Sequence, residues 1–439
     1  MSRSVQVNQF KELLEKYPTW DDMRKYLESE EGGLFRITNG IGTEDGLAMI
    51  RYEKGSSNMT LSHSRWFRSV VWDTVKNLPV CMAPPKASTQ EISYKSLTGL
   101  SEGGVVCQEL LDGFMINCFR VAGSDTLHIT SRSRLDAAGK FYSEKTFREL
   151  FTEAFMNTSE SPCYSETIIQ DNSNDIIQPD SSKGEIATFY SFLVQHSEHR
   201  IVTAINRNRV FIVHKGSVFE DGRVVIDENP APGDHFMQIN SIPIIPQRVS
   251  YARILTSEDG VDVNDEVQKW VKTLMHEKGW DFQGLVFKDG TGNRWRYRSE
   301  KYSVVKALRG NAANHRERFA QLFCQNLIPK YLEYYPEDTA QMSLLMIMIN
   351  SLINILYTHY VDLHITKKTT VEQLDKMYLP HLYSLHGIYL SQLRPEMKKM
   401  SVNEIALYLH KQPWQRISFL VKKAIDKMNS YSDEVPQSS

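Results

Sequence analysis

The pattern of hydrophobic and polar positions divides the chain into three parts. Near the N-terminus apolar residues recur at helical spacing, and Thr19 followed by Asp22 has the form of a capping box before a helix predicted over 21–30. From about residue 46 to residue 309, short apolar runs alternate with turn residues, which predicts strands. Beyond residue 310, long apolar periodicity with few glycines predicts helices only.

The strand-rich part contains one local signal of a hairpin. Asp112-Gly113 separates two apolar runs, 105–110 and 114–119, and this dipeptide is common in tight hairpin turns. Ser143 is predicted to cap a helix, and the polar segment 158–184 is predicted to be a surface loop. The other strands are predicted at 127–130, 187–194, 200–205, 210–214, 284–288 and 293–297.

These patterns and a polar C-terminus predict four segments. They are an N-terminal helical segment at 1–45, a strand-rich domain at 46–309, a helical domain at 310–429 and a flexible tail at 430–439. A length of 439 residues agrees with two or three domains. The expected fold class is α+β, with an antiparallel sheet core followed by an all-helical C-terminal domain.

Charge and cysteine content exclude some classes of protein. Lys and Arg number 51 against 53 Asp and Glu, so the whole chain is not a basic nucleic-acid binder, although a local basic patch is compatible with that sum. Five cysteines without a CxxC pair disfavour a disulfide framework or zinc ribbon and favour a reducing, intracellular or cytoplasmic compartment. The N-terminus lacks the apolar stretch of a signal peptide, and the run Leu344 to Tyr357 is too short to span a bilayer, so no membrane partner is expected.

Several short segments between Arg65 and Arg309 follow one another in a fixed order. They are 66–72 with Arg68, Ala83-Pro84-Pro85-Lys86, Leu110-Leu111-Asp112-Gly113, Thr130-Ser131-Arg132-Ser133, Phe192-Leu193, Gln283-Gly284-Leu285-Val286 and Arg296-Tyr297-Arg298. In this order they resemble the motifs of the covalent nucleotidyltransferases, the superfamily of RNA ligases, DNA ligases and capping enzymes, and are most similar to phage-type RNA ligases. The resemblance covers a little over half of the chain. Several of the same segments also resemble uncharacterised proteins encoded by large DNA viruses.

The departures from these motifs fall mainly on the catalytic groups. The motif lysine that attacks the α-phosphorus of ATP or GTP in the family is Leu110 here, and a leucine has no lone pair. Two motif carboxylates correspond to Leu193 and Gln283, which supply no anionic charge for a cation. The last motif keeps its positive charge, because Arg296 and Arg298 replace lysines and bind phosphate bidentately.

The resemblance therefore implies a catalytically inactive protein that binds a nucleotide or nucleic acid, or acts as a scaffold. The candidate nucleotide- or phosphate-binding residues are Arg68, Lys86, Asp112, Gly113, Arg132, Phe192, Gln283, Lys288, Arg296 and Arg298. Two alternatives remain: an active ATP-dependent RNA ligase with Lys86, Lys95 or Lys288 as a displaced nucleophile, and a structural protein of a viral particle with a relic ligase fold. ATP and Mg²⁺ are expected as cofactors only if activity is retained. The expected partners are RNA or another nucleic acid, and a protein bound through the helical domain.

Two further patterns each have a functional and a simpler interpretation. Arg294, Arg296 and Arg298 share one face of a predicted strand, which is typical either of a phosphate-binding edge or of a solvated strand. His196 and His199 have the HxxH spacing, but no third ligand is evident, so a turn between strands is expected there and no metal site.

Overall fold

A computed structural model describes the chain at 4–89, 106–157, 177–228, 230, 237–238, 263–312 and 314–433. The chain forms two compact units, Met1–Ser303 and Val304–Ser439. The first combines antiparallel sheets with a few helices, and the second is helical. The first 45 residues lie in the first unit and not in a segment of their own, and the division falls at 303/304 and not at 309/310.

The strands lie in the first unit, and their bounds are as follows. They are β1 (Ser4–Val7), β2 (Arg36–Asn39), β3 (Leu47–Arg51), β4 (Val70–Asp73), β5 (Leu78–Met82), β6 (Val106–Glu109), β7 (Phe114–Val121), β8 (His128–Ser131), β9 (Glu185–Gln195), β10 (Arg209–Phe219), β11 (Val224–Asp227), β12 (Met237–Gln238), β13 (Gly284–Lys288) and β14 (Arg294–Arg298).

The helices are found in both units, and we number them in chain order. They are α1 (Gln9–Lys16), α2 (Trp20–Glu28), α3 (Phe147–Asn157), α4 (Val263–Glu277), α5 (Glu300–Arg309), α6 (His315–Cys324), α7 (Ile328–Tyr334), α8 (Thr339–Tyr360), α9 (Leu379–Ile388), α10 (Val402–His410) and α11 (Trp414–Asp433). Because α11 reaches Asp433, the expected flexible tail is helical over its first four positions, and 434–439 lie outside the described residues.

The described strands of the first unit form three sheets. The largest has the strand order β1-β11-β10-β9-β7-β8, with β12 pairing with β10; the others are β2-β3-β4-β5 and β14-β13-β6. Among the described strands every pair except the parallel β10–β12 is antiparallel, which confirms the expected antiparallel core.

Each sheet buries one apolar face against a neighbouring layer. The four-stranded sheet packs with α1, α2 and residues of the large sheet such as Phe119 and Phe189. Another part of the large sheet packs against α3, and the three-stranded sheet packs against α4. The Thr19 cap is confirmed, because its side chain accepts a hydrogen bond from the Asp22 amide at the start of α2. For α3 the structure differs from expectation, since Thr146 and not Ser143 accepts from the Glu149 amide.

The expected hairpin around Asp112-Gly113 is wrong. β6 pairs with β13, whereas β7 pairs with β8 and β9, so this step carries the chain from one sheet to another. The strand expected at 200–205 is also irregular. The Asp112 Oδ2 atom accepts hydrogen bonds from the amides of Val202 (2.9 Å) and Thr203 (3.0 Å), so these amides bond to a side chain and not to a neighbouring strand.

The second unit packs its helices around α8. Eight α8 side chains are buried, among them Leu345, Ile349 and Leu356. The run Pro336–Ile365 is apolar and long enough to cross a membrane by length and composition alone, a test that the core helix of a helical domain also passes. At the start of this unit the guanidinium of Arg309 donates to Tyr331 (2.6 Å) and to Asp338 (3.1 Å), which neutralises a buried carboxylate.

Candidate functional site

The three-stranded sheet carries arginines along one face of its edge strand. On β14, Trp295 packs with Leu285 and Phe287 in the core beside α4, and Tyr297 packs against the same core. Because side chains alternate along a strand, Arg294, Arg296 and Arg298 lie on the opposite face. Each of them is paired across the sheet with a residue of the Gln-Gly-Leu-Val-Phe-Lys segment, in the order Lys288, Val286 and Gly284.

The inner end of this face is a buried charge cluster. The carboxylate of Glu228 accepts a hydrogen bond from Arg294 and lies 3.5 Å from the ammonium of Lys288, which also donates to the carbonyls of Val213 (3.4 Å) and Glu228 (3.2 Å). Burial disfavours the charge of Glu228, but the two cations hold its pKa at about 2. Burial and the neighbouring Arg294 lower the pKa of Lys288 to about 8. The Lys288 candidate therefore holds the fold together and is only 4% exposed.

A buried histidine completes this cluster. His214 Nε2 lies 2.9 Å from the Ser191 hydroxyl and 3.1 Å from the Met82 carbonyl. Complete burial lowers the pKa of His214 to about 3, with Arg294 and Lys288 adding to that effect and Glu228 opposing it. The imidazole is therefore neutral at physiological pH, and its hydrogen bonds tie the large sheet to β5.

The outer part of the face has a different electrostatic character. Burial and, after it, the charges of Arg132, Arg294 and Arg296 together lower the pKa of Arg68 to about 10. Burial also lowers the pKa of Arg296, with Arg298 adding to the effect. The Tyr52 phenol is the one group that opposes these shifts at both Arg68 and Arg296. We call Arg68, Arg132 and Arg296 the arginine cluster.

No Asp or Glu in the described ranges makes an ion pair with any of the three guanidinium groups of the arginine cluster. By contrast Arg134, two positions after Arg132, is paired with Asp136 at 2.8 Å. The Lys86 ammonium lies 5.7 Å from the centre of the Tyr52 ring, which adds an exposed cation beside the cluster. This concentration of positive charge favours an anionic ligand.

The segment that corresponds to the nucleophile motif lies beside this face without a lysine. The Leu110 amide donates to the Gly284 carbonyl at 2.8 Å, which continues the β6–β13 ladder by one residue. With its amide oriented to suit its neighbours, Gln283 donates to the carbonyls of Leu111 (2.8 Å) and Leu110 (3.3 Å) and accepts from Arg298 (3.2 Å). Gln283 thus orders the backbone at the motif position, and Arg298 is held in place by Gln283.

Asp112 and Gly113 also fix the backbone conformation at this segment. Besides its two amide donors, the Asp112 carboxylate accepts a 2.8 Å hydrogen bond from the Tyr302 hydroxyl and is buried. A Cβ atom at Gly113 would lie 2.4 Å from the Val194 carbonyl oxygen, so no larger residue fits without a backbone shift. The structure gives both residues a positioning role at the crossing between sheets.

Leu193, which stands where the resemblance places a motif carboxylate, lies in an apolar patch. Leu193 and Leu111 pack with Phe211 and Val213 on the face of the large sheet that also bears the Lys288 contact. Phe192, a candidate for the cleft, points to the other face and is buried against Phe151 in the core with α3. Its place in the core corrects the expectation, because adjacent strand residues face opposite ways.

The described residues do not fit a Mg²⁺ ion at this face. Magnesium is bound through carboxylates and phosphates, whereas Leu193 has no donor atom and Gln283 is occupied by backbone carbonyls. The nearby carboxylate of Glu228 is already neutralised by Arg294 and Lys288. Elsewhere, Glu153, His196 and Glu198 come together, but the Lys145 ammonium binds both carboxylates, at 2.9 and 2.7 Å.

Sequence reasoning missed Glu228, His214 and Tyr52, and it treated Arg294 together with Arg296 and Arg298 as one strand face, either phosphate-binding or solvated. None of the three missed residues lies in a motif, and Glu228 meets its partners across 60 and 66 positions of the chain. Lys95, one of the proposed displaced nucleophiles, lies outside the described residues.

Comparisons with known proteins give one structural likeness. No family model matches the chain, and no curated protein matches it. Two solved structures of an archaeal ATP-dependent RNA ligase, forms 1 and 2, match it with TM-scores of 0.32 and 0.31, at 10% identity. Both alignments cover 96% of this chain and 82% of the other. TM-scores below 0.5 do not establish a common fold. The expected likeness to viral proteins stays a prediction.

Proposed function

We propose that this chain is an RNA-ligase-related protein that binds nucleotides or phosphorylated RNA ends through its arginine cluster and forms no lysyl-nucleotide. The observation that carries the proposal is the meeting of Arg68, Arg132 and Arg296 without a neutralising carboxylate among the described residues. The charges of Arg132 and Arg296 lower the pKa of Arg68, and a bound phosphate would offset this repulsion while accepting paired hydrogen bonds.

The strand arrangement supports the ligase relationship independently of overall similarity. The segment that resembles the nucleophile motif lies far in sequence from the last two motifs. It nevertheless begins directly after β6, and the last two motifs lie at β13 and β14, the neighbouring strands of the same sheet. Such adjacency is needed if the motifs surround one ligand.

The test of phosphate binding compares two arginines that are close in sequence. We expect labelled RNA with a 5′-phosphate to bind more tightly than the same RNA with a 5′-hydroxyl, measured by fluorescence anisotropy at two salt concentrations. Arg132→Ala should weaken binding about tenfold or more and lower the salt dependence, because one phosphate contact is lost. The matched control is Arg134→Ala, whose guanidinium is already paired with Asp136. Equal effects of the two variants would reject the cluster as the binding site.

The absence of covalent chemistry has a separate test. After incubation with α-labelled ATP and Mg²⁺, we expect no label that stays on the protein through denaturing electrophoresis, because Leu110 cannot attack phosphorus. The displaced-lysine alternative has one favourable observation, the lowered pKa of Lys288 at about 8. It predicts a label that disappears in Lys288→Arg. That result would replace the non-catalytic proposal with an active ligase.

The scaffold alternative predicts no ligand at all. If ATP and both RNAs fail to bind at low salt, the fold would act through protein contacts, and the arginine cluster would have no ligand of this class.

A further inference from the structure

The helical unit has a second cationic surface that the proposed function does not use. An open groove of about 960 Å³ lies between α11 and the segment that leads into α9. Its walls include Lys376 and Pro380 on one side and Arg416, Phe419, Lys423 and Lys427 on α11. We call it the α11 groove.

The cations of the α11 groove are regularly spaced. Arg416, Phe419, Lys423 and Lys427 follow one another at intervals of three, four and four residues, which puts them on one face of the helix. At the helical rise, Lys423 and Lys427 are separated by about 6 Å along the axis, and Arg416 and Lys423 by about 10 Å. A row of cations at such intervals matches a linear polyanion better than a single small anion.

The acids in the same groove do not cancel this charge. Three basic residues, Lys376, Arg416 and Lys423, face two acidic ones, Asp375 and Asp426. The Asp375 side chain also accepts a hydrogen bond from the Met377 amide at 3.0 Å, so its carboxylate serves the local turn. The groove therefore keeps an excess of positive charge, and its complement is a negatively charged partner.

The exposed ring of Phe419 favours one class of negatively charged partner over the others. Phe419 is 51% exposed although it is a large apolar residue, and the Lys423 ammonium lies 5.9 Å from its ring centre. A nucleobase stacks on a phenyl ring while its phosphates meet neighbouring cations, which is how single strands are bound without sequence preference. An acidic peptide would use the cations but has no general need for the ring.

We infer that the α11 groove binds single-stranded nucleic acid, with Phe419 as the stacking platform and Arg416 and Lys423 as phosphate contacts. This site is separate from the arginine cluster and does not require a phosphorylated end.

The test uses the full chain and a fluorescein-labelled oligouridylate with a 5′-hydroxyl, about 12 nucleotides long to cover one such site. We expect Phe419→Ala to weaken binding about tenfold at all salt concentrations, which is the loss of one stacking contact. Arg416→Ala with Lys423→Ala should weaken it about tenfold or more at low salt and reduce the salt dependence by about two phosphate contacts. Binding is read by anisotropy, and the variants are first compared by circular dichroism and thermal melting.

The matched control is Lys411→Ala with Lys422→Ala, two exposed lysines outside the groove that remove the same charge. The inference is overturned if this control weakens binding as much as the groove variants, or if polyglutamate displaces the oligouridylate as well as unlabelled oligouridylate does. Arg68→Ala with Arg296→Ala separates the two proposals. It should abolish the preference for a 5′-phosphate and leave oligouridylate binding and its dependence on Phe419 intact.

Discussion

Arg294 and Arg296 lie two positions apart on one face of one strand, yet within the described part of the chain only the charge of Arg294 is neutralised by a carboxylate. Arg294 is buried and bonded to Glu228, which also pairs with Lys288. Arg296 is partly exposed, pairs with no carboxylate among the described residues and lies close to Arg298 and Arg68. The contrast shows that one sheet face combines a neutralised inner end, which holds the sheets together, with a repulsive outer end that favours an anion.

The largest expected effect comes from removing the inner anion. Glu228→Gln leaves Arg294 and Lys288 buried without a counter-charge, so we expect the free energy of unfolding to fall by about 3–5 kcal/mol. Urea denaturation at neutral pH measures it. The control is Glu28→Gln, which breaks the exposed pair with Arg24 and should cost about 0.5 kcal/mol or less. A loss below about 1 kcal/mol would mean that the buried charge cluster of Glu228, Lys288 and Arg294 does not stabilise the fold.

A smaller effect is expected from the histidine beside it. The pKa of His214 is about 3 in the folded chain, below its unfolded value of 6.5, so between these values the unfolded chain binds the extra proton. Stability from this residue is therefore lost as the pH falls from 6.5. Glu228, whose folded pKa is about 2, loses its contribution only as the pH falls below 4.5, the ordinary pKa of a glutamate.

The measurement is the free energy of unfolding of the wild type and of His214→Gln at pH 6.5 and pH 5. The wild type should lose about 1.6 kcal/mol more than the variant over this interval, because the unfolded imidazole is already half protonated at pH 6.5 and the full slope of about 1.36 kcal/mol per pH unit is reached only below it. Other histidines cancel in the difference between the two proteins. Equal losses would show that His214 is accessible to protons and that the inner cluster is open to water.

The local part of this picture could be predicted from the sequence. The bounds of β13 were predicted as Gly284–Lys288, and the alternation of arginines with Trp295 and Tyr297 follows from strand geometry alone. The helical character of the second unit was also predictable, because long apolar periodicity needs no distant partner.

The long-range part could not be predicted. Nothing near Glu228 indicates that it meets Lys288 and Arg294, so the sequence does not distinguish Arg294 from Arg296 and Arg298 on the same strand face. Asp112-Gly113 is a dipeptide typical of hairpin turns, but its two flanking strands, β6 and β7, pair in two different sheets. Phe192 was assigned to the cleft from its motif position, and its burial against α3 depends on which face of β9 the helix covers.

The smallest expected effect is also the sharpest test of the comparison. Arg296→Gln should change the free energy of unfolding by less than about 1 kcal/mol, and upward at low salt, because it removes a like charge beside Arg68 and Arg298. Arg294→Gln, the matched change two positions away, should cost about 3 kcal/mol, because Glu228 loses its closest partner. Urea denaturation at two salt concentrations measures both. If Arg296→Gln is as destabilising as Arg294→Gln, the outer guanidinium is a structural group, and the charge retained at the arginine cluster needs no ligand to explain it.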